Sequence, residues 1–232
     1  MNKKMAYLVK EQKRITKLVV SKFPAYYLTG GTALAFYFNH RLSEDLDFFT
    51  QSYKRSDSEK IMKYISKETG FKYQLDAVQD DPKLIPMTVY FIELGDKQVL
   101  KIDFVKDYKE NVGLVKDGLH SVADIYLRKL YAAIGMQEKE TETGHVSATG
   151  RQSVKDLFDL YYLSSKYKPL SENFFEYFSY NQTKRLEAWY RGFDRGEIKL
   201  ALMDLVEDVD TSDIFKHLDD QILKKIPNKL NE

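Results

Sequence analysis

Cysteine is absent from this 232-residue sequence. Its absence excludes disulfide bonds, a thiolate nucleophile and any cysteine-based zinc site, and it suits a reducing cytoplasm. Long hydrophobic runs are absent too. None approaches the roughly 18 residues that a membrane-spanning helix needs, and none follows the basic start of the sequence as the core of a signal peptide would. With 43% hydrophobic residues and only five prolines, the composition indicates a folded cytoplasmic protein that has no membrane partner.

The sequence also lacks a strong charge of one sign, since its formal net charge is +1. Any contact with nucleic acid must therefore be local. The best candidate is the segment 1–22, which holds seven Lys and Arg residues against the single acid Glu11. Helical periodicity places four basic residues on one face of this segment: Lys3, Lys10, Arg14 and Lys17. This face is either the ordinary solvated side of an amphipathic helix or a contact to phosphate groups.

The predicted elements divide the sequence into two parts. After the first helix, the pattern predicts five strands at 26–29, 45–49, 71–78, 87–94 and 97–105, with helices at 32–39 and 56–69. Gly95-Asp96 predicts a tight turn between the last two strands, and Gly70 predicts the end of the second of these helices. From residue 121 only helices are predicted, at 124–134, 152–166, 171–180, 183–193, 198–209 and 212–225. We therefore predict an α+β protein with a mixed-sheet core at 1–120 and a helical bundle at 121–232.

Three aspartates give the first indication of chemistry. Residues i and i+2 of a strand project to the same face, so Asp45 and Asp47 are expected to lie side by side. Asp103 occupies a second strand that otherwise looks buried. Like charges this close raise one another's pKa unless a cation lies between them. Carboxylate oxygens select hard divalent ions, so the pattern predicts that Asp45, Asp47 and Asp103 bind Mg²⁺ or Mn²⁺.

A glycine turn precedes the first two aspartates. Gly30 and Gly31 would let backbone N–H groups approach a ligand closely, and a helix beginning at Thr32, with Thr32 as its cap, would point its positive end there. Such a turn is a phosphate site of modest specificity. No P-loop pattern and no dinucleotide-binding pattern occurs in the sequence. A phosphate site followed closely by a metal site indicates a nucleoside triphosphate with its metal.

At this point the stretch GGTALAFYFNHRLSEDLDFF resembles a known signature. It is similar to that of the AbiEii/AbiGii toxin-type nucleotidyltransferases, which belong to the DNA polymerase β-like superfamily. The four motifs of that family match this sequence in order at Gly31, Thr32, Asp45 and Asp47; at Lys101 and Asp103; at Ile125, Lys129 and Ala132; and at Asp156 and Asp159. Two departures are a threonine in place of the usual serine at residue 32 and a slightly longer spacer before Asp45.

The resemblance, together with the chemistry of displacement at a phosphorus atom, implies roles for these residues. The catalytic set is Asp45, Asp47, Asp103, Lys129 and Asp156. The first two would hold a metal, Asp103 would complete a second metal site or act as base, and Lys129 would offset the charge of the triphosphate. The nucleotide-binding set is Gly30, Gly31, Thr32, Arg41, Ser43, Lys129, Lys155 and Asp159. Without the motif match, Lys129 and Asp159 would instead be interpreted as a solvent-exposed helical pair.

The resemblance implies an enzyme that moves NMP from an NTP to an acceptor hydroxyl, as the toxin of a toxin–antitoxin or phage-defence pair. The expected acceptor is RNA, first of all the 3′ end of tRNA, and the expected antitoxin is separately encoded and need not form a direct complex. Alternatives are transfer to a protein or small-molecule hydroxyl, and a catalytically silent NTP-binding regulator.

Outside the motifs, most features indicate structure rather than chemistry. The four histidines have no metal-ligand spacing, and only His40 lies close to the predicted site in the sequence. Trp189 and the Tyr and Phe residues between 174 and 190 recur with helical spacing, which favours a bundle core over a platform for stacking bases. The polar segment 138–151 is predicted to be a mobile surface loop.

Overall fold

The computed structural model describes residues 3–95, 98–135, 139–140, 146–147, 150–207 and 209–229. The chain forms two compact units, Met1–Ile125 and Tyr126–Glu232. A division into two domains after residue 120 stays a prediction.

The first unit combines three helices with a five-stranded sheet. Its elements are α1 (Lys3–Lys22), β1 (Tyr27–Thr29), α2 (Gly30–Phe38), β2 (Asp45–Thr50), α3 (Arg55–Thr69), β3 (Tyr73–Gln79), β4 (Met87–Gly95) and β5 (Gln98–Lys106). The sheet has the order β1-β2-β5-β4-β3, in which β2 and β5 run parallel and the other neighbours run antiparallel. The predicted mixed sheet is thereby confirmed.

Both predicted glycine turns of this unit have the expected backbone. Gly70 follows α3 with a φ of +76°, and its N–H donates to the carbonyl of Ser66, as a helix-ending glycine does. Gly95 ends β4 with a φ of +92°, and β4 pairs with β5 in the predicted antiparallel hairpin. Asp96, the other residue of the predicted turn, lies outside the described residues.

The two faces of β2 have different environments, which positions the acidic residues. Leu46 and Phe48 are fully buried, and Phe48 stacks on Phe104 of β5 with ring centroids 5.7 Å apart. Asp45 and Asp47 alternate with them and are only partly buried. Alternation along a strand therefore gives one face to the core and the other to the two carboxylates.

The second unit is helical, as predicted. The helix α4 (Val122–Ile134) leads into it from the first unit, and its own helices are α5 (Val154–Lys166), α6 (Leu170–Tyr177), α7 (Tyr180–Arg191), α8 (Arg195–Leu205), α9 (Thr211–Leu218) and α10 (Ile226–Lys229). Where the sequence predicts one helix over 212–225, the chain passes from α9 into a π-helical segment, Asp219–Lys225.

Two short strands, β6 (Lys139–Glu140) and β7 (Val146–Ser147), pair antiparallel inside the segment predicted as a mobile loop. Most of the rest of that segment lies outside the described residues. Among the helices of the described ranges, none combines the length and the apolar character that crossing a membrane requires.

The aromatic residues of α6 and α7 form a core, as predicted for most of them. Trp189 and Phe174 are fully buried, and Phe174 stacks on Phe178 with centroids 4.7 Å apart. Tyr177 and Tyr180 depart from the prediction, with 36% and 53% of their surface exposed. They point away from the core because the periodic pattern is broken at the junction between the two helices.

Candidate active site

Strand register brings the three predicted aspartates to one place on the sheet. In the parallel pair β2–β5, Asp47 lies opposite Asp103 and Asp45 lies opposite Lys101. Residues directly opposite in a pair share a face of the sheet, so all four side chains project from the face that carries Asp45 and Asp47. The sequence predicts the neighbouring aspartates of β2, whereas the pairing with β5 is a result of the fold.

Lys101 supplies the charge that this acidic face requires. Its Nζ donates to Asp103 Oδ2 over 2.6 Å. Burial lowers the pKa of Lys101, but the bond to Asp103 and the fields of Asp103, Asp45 and Asp47 outweigh burial, and the pKa is raised. Burial also raises the pKa of the Asp103 carboxyl, against the lowering effect of Lys101, and the charges of Asp45 and Asp76 raise it further.

The donor chemistry of this face fits a hard divalent cation. The second oxygen of Asp103, Oδ1, is buried, and the described residues give it no hydrogen-bond partner. A buried carboxylate oxygen in that state is costly unless something outside the chain binds it. Within the described ranges, no three His, Asp or Glu side chains are arranged to hold a metal as they stand. Binding an ion would therefore need the Asp45 and Asp47 side chains, on their partly open face, to turn toward it.

The glycine turn makes room for functional side chains. Gly30 has a φ of +70°, and a Cβ there would lie 2.5 Å from Asp47 Oδ2. A Cβ on Gly31 would lie 2.4 Å from the Arg41 guanidinium and 3.1 Å from the Ser43 hydroxyl. The turn, Arg41 and Ser43 thus meet at the start of α2, as the predicted nucleotide-binding set requires.

The start of α2 corrects the predicted role of Thr32. The helix begins at Gly30 rather than at Thr32, with Thr29 in the cap position. Thr32 is inside the helix, and its hydroxyl donates to the main-chain carbonyl of Asp45. The prediction that Thr32 caps the helix is therefore wrong, because its hydroxyl fastens the helix to β2 instead.

Thr29 does not cap α2 either. Its Oγ1 lies 3.0 Å from Nδ1 of His120, and no side-chain cap bond to the helix forms. The first N–H groups of a helix have no partner within it. Because the hydroxyls of Thr29 and Thr32 bond elsewhere and do not cap α2, this end of the helix is suited to an anion. His40 is close to the site in the sequence, whereas His120 reaches the residue before Gly30 only through the fold.

Arg41 and Ser43 are held by contacts that the sequence does not reveal. Arg41 is buried, and its Nη1 donates to the carbonyl of Leu42 over 2.8 Å. Gln12 of α1 donates through Nε2 to the carbonyl of Ser43 over 2.9 Å. The loop between α2 and β2 is thus anchored to the first helix, which keeps the guanidinium beside Gly31.

Gly30→Ala should reduce activity at least ~10-fold through Asp47, and Gly70→Ala is its matched control. Both glycines have positive φ, so each alanine substitution should destabilise the folded protein by about 1–2 kcal/mol. Only at Gly30 would the new methyl group displace a predicted metal ligand, since nothing lies within 4 Å of a Cβ at Gly70. Urea unfolding and turnover measured on both variants check this. Equal activity of the two variants would contradict the placement of Asp47 in the site.

The second unit contains its own buried charge cluster. Lys129 Nζ on α4 lies 2.5 Å from Asp156 Oδ1 and 2.8 Å from Asp159 Oδ2, both on α5. Arg151 adds a contact of 2.6 Å to the other oxygen of Asp156. Both aspartates are fully buried and Lys129 is nearly so, which excludes the interpretation of Lys129 and Asp159 as a solvent-exposed pair. Lys155, predicted to bind nucleotide, is exposed.

Arg151 is a cluster member that sequence reasoning missed. It closes the polar segment 138–151, where no periodic pattern marks it. Its backbone is fixed at both ends, since its N–H donates to the carbonyl of Ala132 and its carbonyl accepts from Trp189 Nε1, at 2.8 and 2.9 Å. Arg151 and Lys129 thus contact different oxygens of Asp156.

A mixed sheet that presents paired carboxylates beside the glycine turn of α2 is the arrangement that the sequence predicts for a nucleotidyltransferase. The family model described as "Nucleotidyl transferase AbiEii toxin, Type IV TA system" matches residues 18–231, and the chain belongs to this family. The resemblance drawn from the four motifs is confirmed by this match, and the chain is a nucleotidyltransferase of a toxin family.

Solved structures and a curated relative show further similarity. The crystal structure of JHP933 from Helicobacter pylori aligns over 100% of both chains with a TM-score of 0.60 at 19% identity. An H. pylori structure of a candidate nucleotidyltransferase aligns over 100% of this chain and 99% of its own, with a TM-score of 0.60 at 17% identity. Both show the same fold. The protein aq_aa25 of Aquifex aeolicus (strain VF5) is 45% identical over 65 residues, which span 27% of this chain and 32% of that protein.

Proposed function

We propose that this chain transfers NMP from an NTP to an acceptor hydroxyl at the face formed by β2 and β5. The observation that carries the proposal is the register that places Asp47 opposite Asp103 and Asp45 opposite Lys101. This register brings three carboxylates close to the start of α2, where the two glycines of the turn leave space for functional side chains. A polyanion with its cation fits this combination, because one part of the site attracts phosphates and the other attracts metal.

Asp45, Asp47 and Asp103 would hold Mg²⁺ or Mn²⁺, which when bound supplies charge neutralisation for the triphosphate. Transfer forms a bond between the acceptor oxygen and the α-phosphorus, breaks the bond from that phosphorus to the bridging oxygen, and releases pyrophosphate with the electron pair. Asp103 either completes the metal site or takes the acceptor proton. The described residues leave Oδ1 of Asp103 without a hydrogen-bond partner, so this oxygen is available for either role.

The phosphates of the NTP would lie at the start of α2. The N–H groups of Gly31 and Thr32, the Arg41 guanidinium and the Ser43 hydroxyl would donate to them. For the helical unit, the proposal is that Asp156 and Asp159, oriented by Lys129 and Arg151, position the nucleotide or the acceptor. The exposed Lys155 would add a phosphate contact.

RNA is the proposed acceptor, with the 3′ end of tRNA as the first candidate, and a separately encoded antitoxin would restrain the enzyme in the cytoplasm. The experiment incubates the protein with Mg²⁺ and each NTP in turn, adding total RNA or total protein, and follows pyrophosphate release. Release that depends on RNA supports the proposal. Release that depends on protein indicates a protein acceptor, and nucleotide binding without release indicates a silent regulator.

The basic face of α1 gives a prediction about the acceptor. Lys3, Lys10 and Lys17 are exposed, whereas Arg14 is partly occupied by the carbonyl of Glu68 and by Glu11. If the three lysines contact RNA phosphates, changing them to glutamine should reduce the magnitude of the slope of log affinity against log salt concentration by about two. Fluorescence anisotropy of labelled tRNA at several salt concentrations measures the slope.

The matched control changes three other exposed lysines of the same unit, Lys63, Lys67 and Lys72, to glutamine. This variant has the same net charge and should keep the wild-type slope. Equal slopes for all three proteins would show that the face of α1 is only solvated.

A further inference from the structure

A cavity of about 490 Å³ opens beside the carboxylate face of the first unit. Asp45 and Lys101 lie on its wall, and so do the apolar side chains of Met5, Phe91 and Val99. Its volume lies in the range of sites that bind a small molecule or a single residue of a polymer. The function proposed above gives this cavity no role.

The sheet order separates the cavity from the glycine turn. The turn follows β1, on one side of β2, and a Cβ on Gly30 would reach Asp47 from there. The cavity lies on the other side of β2, since Phe91 of β4 is directly opposite Lys101 of β5, and Lys101 is opposite Asp45. The carboxylates of β2 therefore stand between the two.

Displacement at phosphorus requires the attacking and leaving oxygens to be roughly in line. If the leaving pyrophosphate is held at the glycine turn, the attacking hydroxyl must come from the opposite side of the α-phosphorus. That side is the one where Asp103 and the cavity lie. The cavity is thus placed for the acceptor rather than for the leaving phosphates.

The surroundings of the cavity indicate which acceptor it takes. The half-buried ring of Phe91 provides an aromatic surface, and Gln98, whose Nε2 donates to the carbonyl of Lys4, holds an amide at the rim. Aromatic rings beside amides and cations are typical of sites that stack a base of a single-stranded nucleic acid. The helix α1 starts at this rim, where Lys4 adds a cation to the wall.

We infer that this cavity receives the terminal nucleoside of an RNA acceptor, with Phe91 under its base and Lys4 near the preceding phosphate. The inference rests on the proposed transfer reaction and adds the acceptor subsite to it. According to this inference, Phe91 and Val99 determine how the acceptor binds, whereas the NTP binds at the glycine turn.

The test uses the full chain and two substitutions. Phe91→Ala removes the aromatic surface. Val99→Glu adds a negative charge at a position that is 54% exposed, so folding should be retained. Leu114→Glu, at a residue that is 88% exposed and outside the cavity, adds the same charge as a control. Michaelis constants for RNA and for NTP are measured, and so is the anisotropy of fluorescent tRNA without NTP or metal.

Both cavity variants should weaken tRNA binding and raise the KM for RNA about 10-fold, on the scale of one base–aromatic contact. The KM for NTP should change less than twofold, and Leu114→Glu should match the wild type. A raised KM for NTP with unchanged RNA binding would overturn the inference, as would unchanged RNA binding in both cavity variants or a wild type that binds no RNA. Binding that the cavity variants weaken, without any transfer to RNA, would support the subsite and contradict the proposed reaction.

Discussion

Replacing Lys129 with methionine is expected to destabilise the helical unit by about 3–5 kcal/mol, the usual cost of removing one partner from a buried ion pair. Lys129 contacts Asp156 and Asp159 at 2.5 and 2.8 Å, and both carboxylates are fully buried. Without the ammonium, these two buried carboxylates lose the cation that contacts both of them. Sequence reasoning assigns Lys129 to the triphosphate alone, whereas the structure predicts that the substitution also lowers the free energy of unfolding.

Urea unfolding followed by tryptophan fluorescence measures this effect in the helical unit, which contains both Lys129 and Trp189. Trp189 is the single tryptophan, it is fully buried, and its Nε1 donates to the carbonyl of Arg151. The control is Lys155→Met on the neighbouring helix α5, which removes an exposed lysine and should change stability by less than about 1 kcal/mol.

A second substitution separates charge from packing. Adding Asp159→Asn to Lys129→Met neutralises one of the buried acids and should restore part of the lost stability. A Lys129→Met protein as stable as the wild type would contradict the account of the cluster.

Replacing Asp45 or Asp47 with asparagine is expected to reduce activity about 10³-fold or more while the protein stays folded. Asparagine keeps the shape of the side chain but loses the charge that holds a divalent ion, and metal stabilisation of a phosphoryl transition state is worth several kcal/mol. Stability should stay level or rise, because Asp45 and Asp47 share one partly open face with Asp103. Loss of folding with retained activity would contradict the assignment.

Asp76→Asn is the matched control for these variants. The charge of Asp76 also raises the pKa of Asp103, yet this residue lies on the exposed strand β3, outside the predicted metal set. Its activity should stay near that of the wild type. Turnover and thermal unfolding of the three variants, measured side by side, distinguish a specific metal role from a general effect of negative charge.

Period-two patterns made much of the first unit predictable. Alternation along 45–49 predicts that Asp45 and Asp47 share a face, and the glycines at 70 and 95 mark real turns. The parallel pairing of β2 with β5 was not accessible in the same way, because each pair joins residues 56 positions apart, such as Asp45 and Lys101. The contact between Lys101 and Asp103 could have been found, since residues i and i+2 of a strand share a face.

The wrong cap at the start of α2 and the unpredicted burial of Lys129 and Asp159 have the same physical origin. Thr32 is a good capping residue by type, but tertiary partners decide where its hydroxyl points, and Asp45 and His120 take the two available hydroxyls. Lys129 and Asp159 match a family motif, yet nothing in their spacing shows that they are buried together. Burial turns such a pair from a surface contact of a few tenths of a kcal/mol into a determinant of stability.

In the proposed reaction, an NMP group moves from NTP to a hydroxyl of RNA at the β2–β5 face. The most direct measurement incubates the protein with Mg²⁺ and tRNA and with each NTP labelled either at the α- or at the γ-phosphorus, and then analyses the RNA on a denaturing gel. We expect the α-label to enter RNA, the γ-label to leave as pyrophosphate, and the Asp47→Asn substitution to abolish both. Labelling of RNA by the γ-phosphate, or transfer that persists in Asp47→Asn, would contradict the proposed reaction.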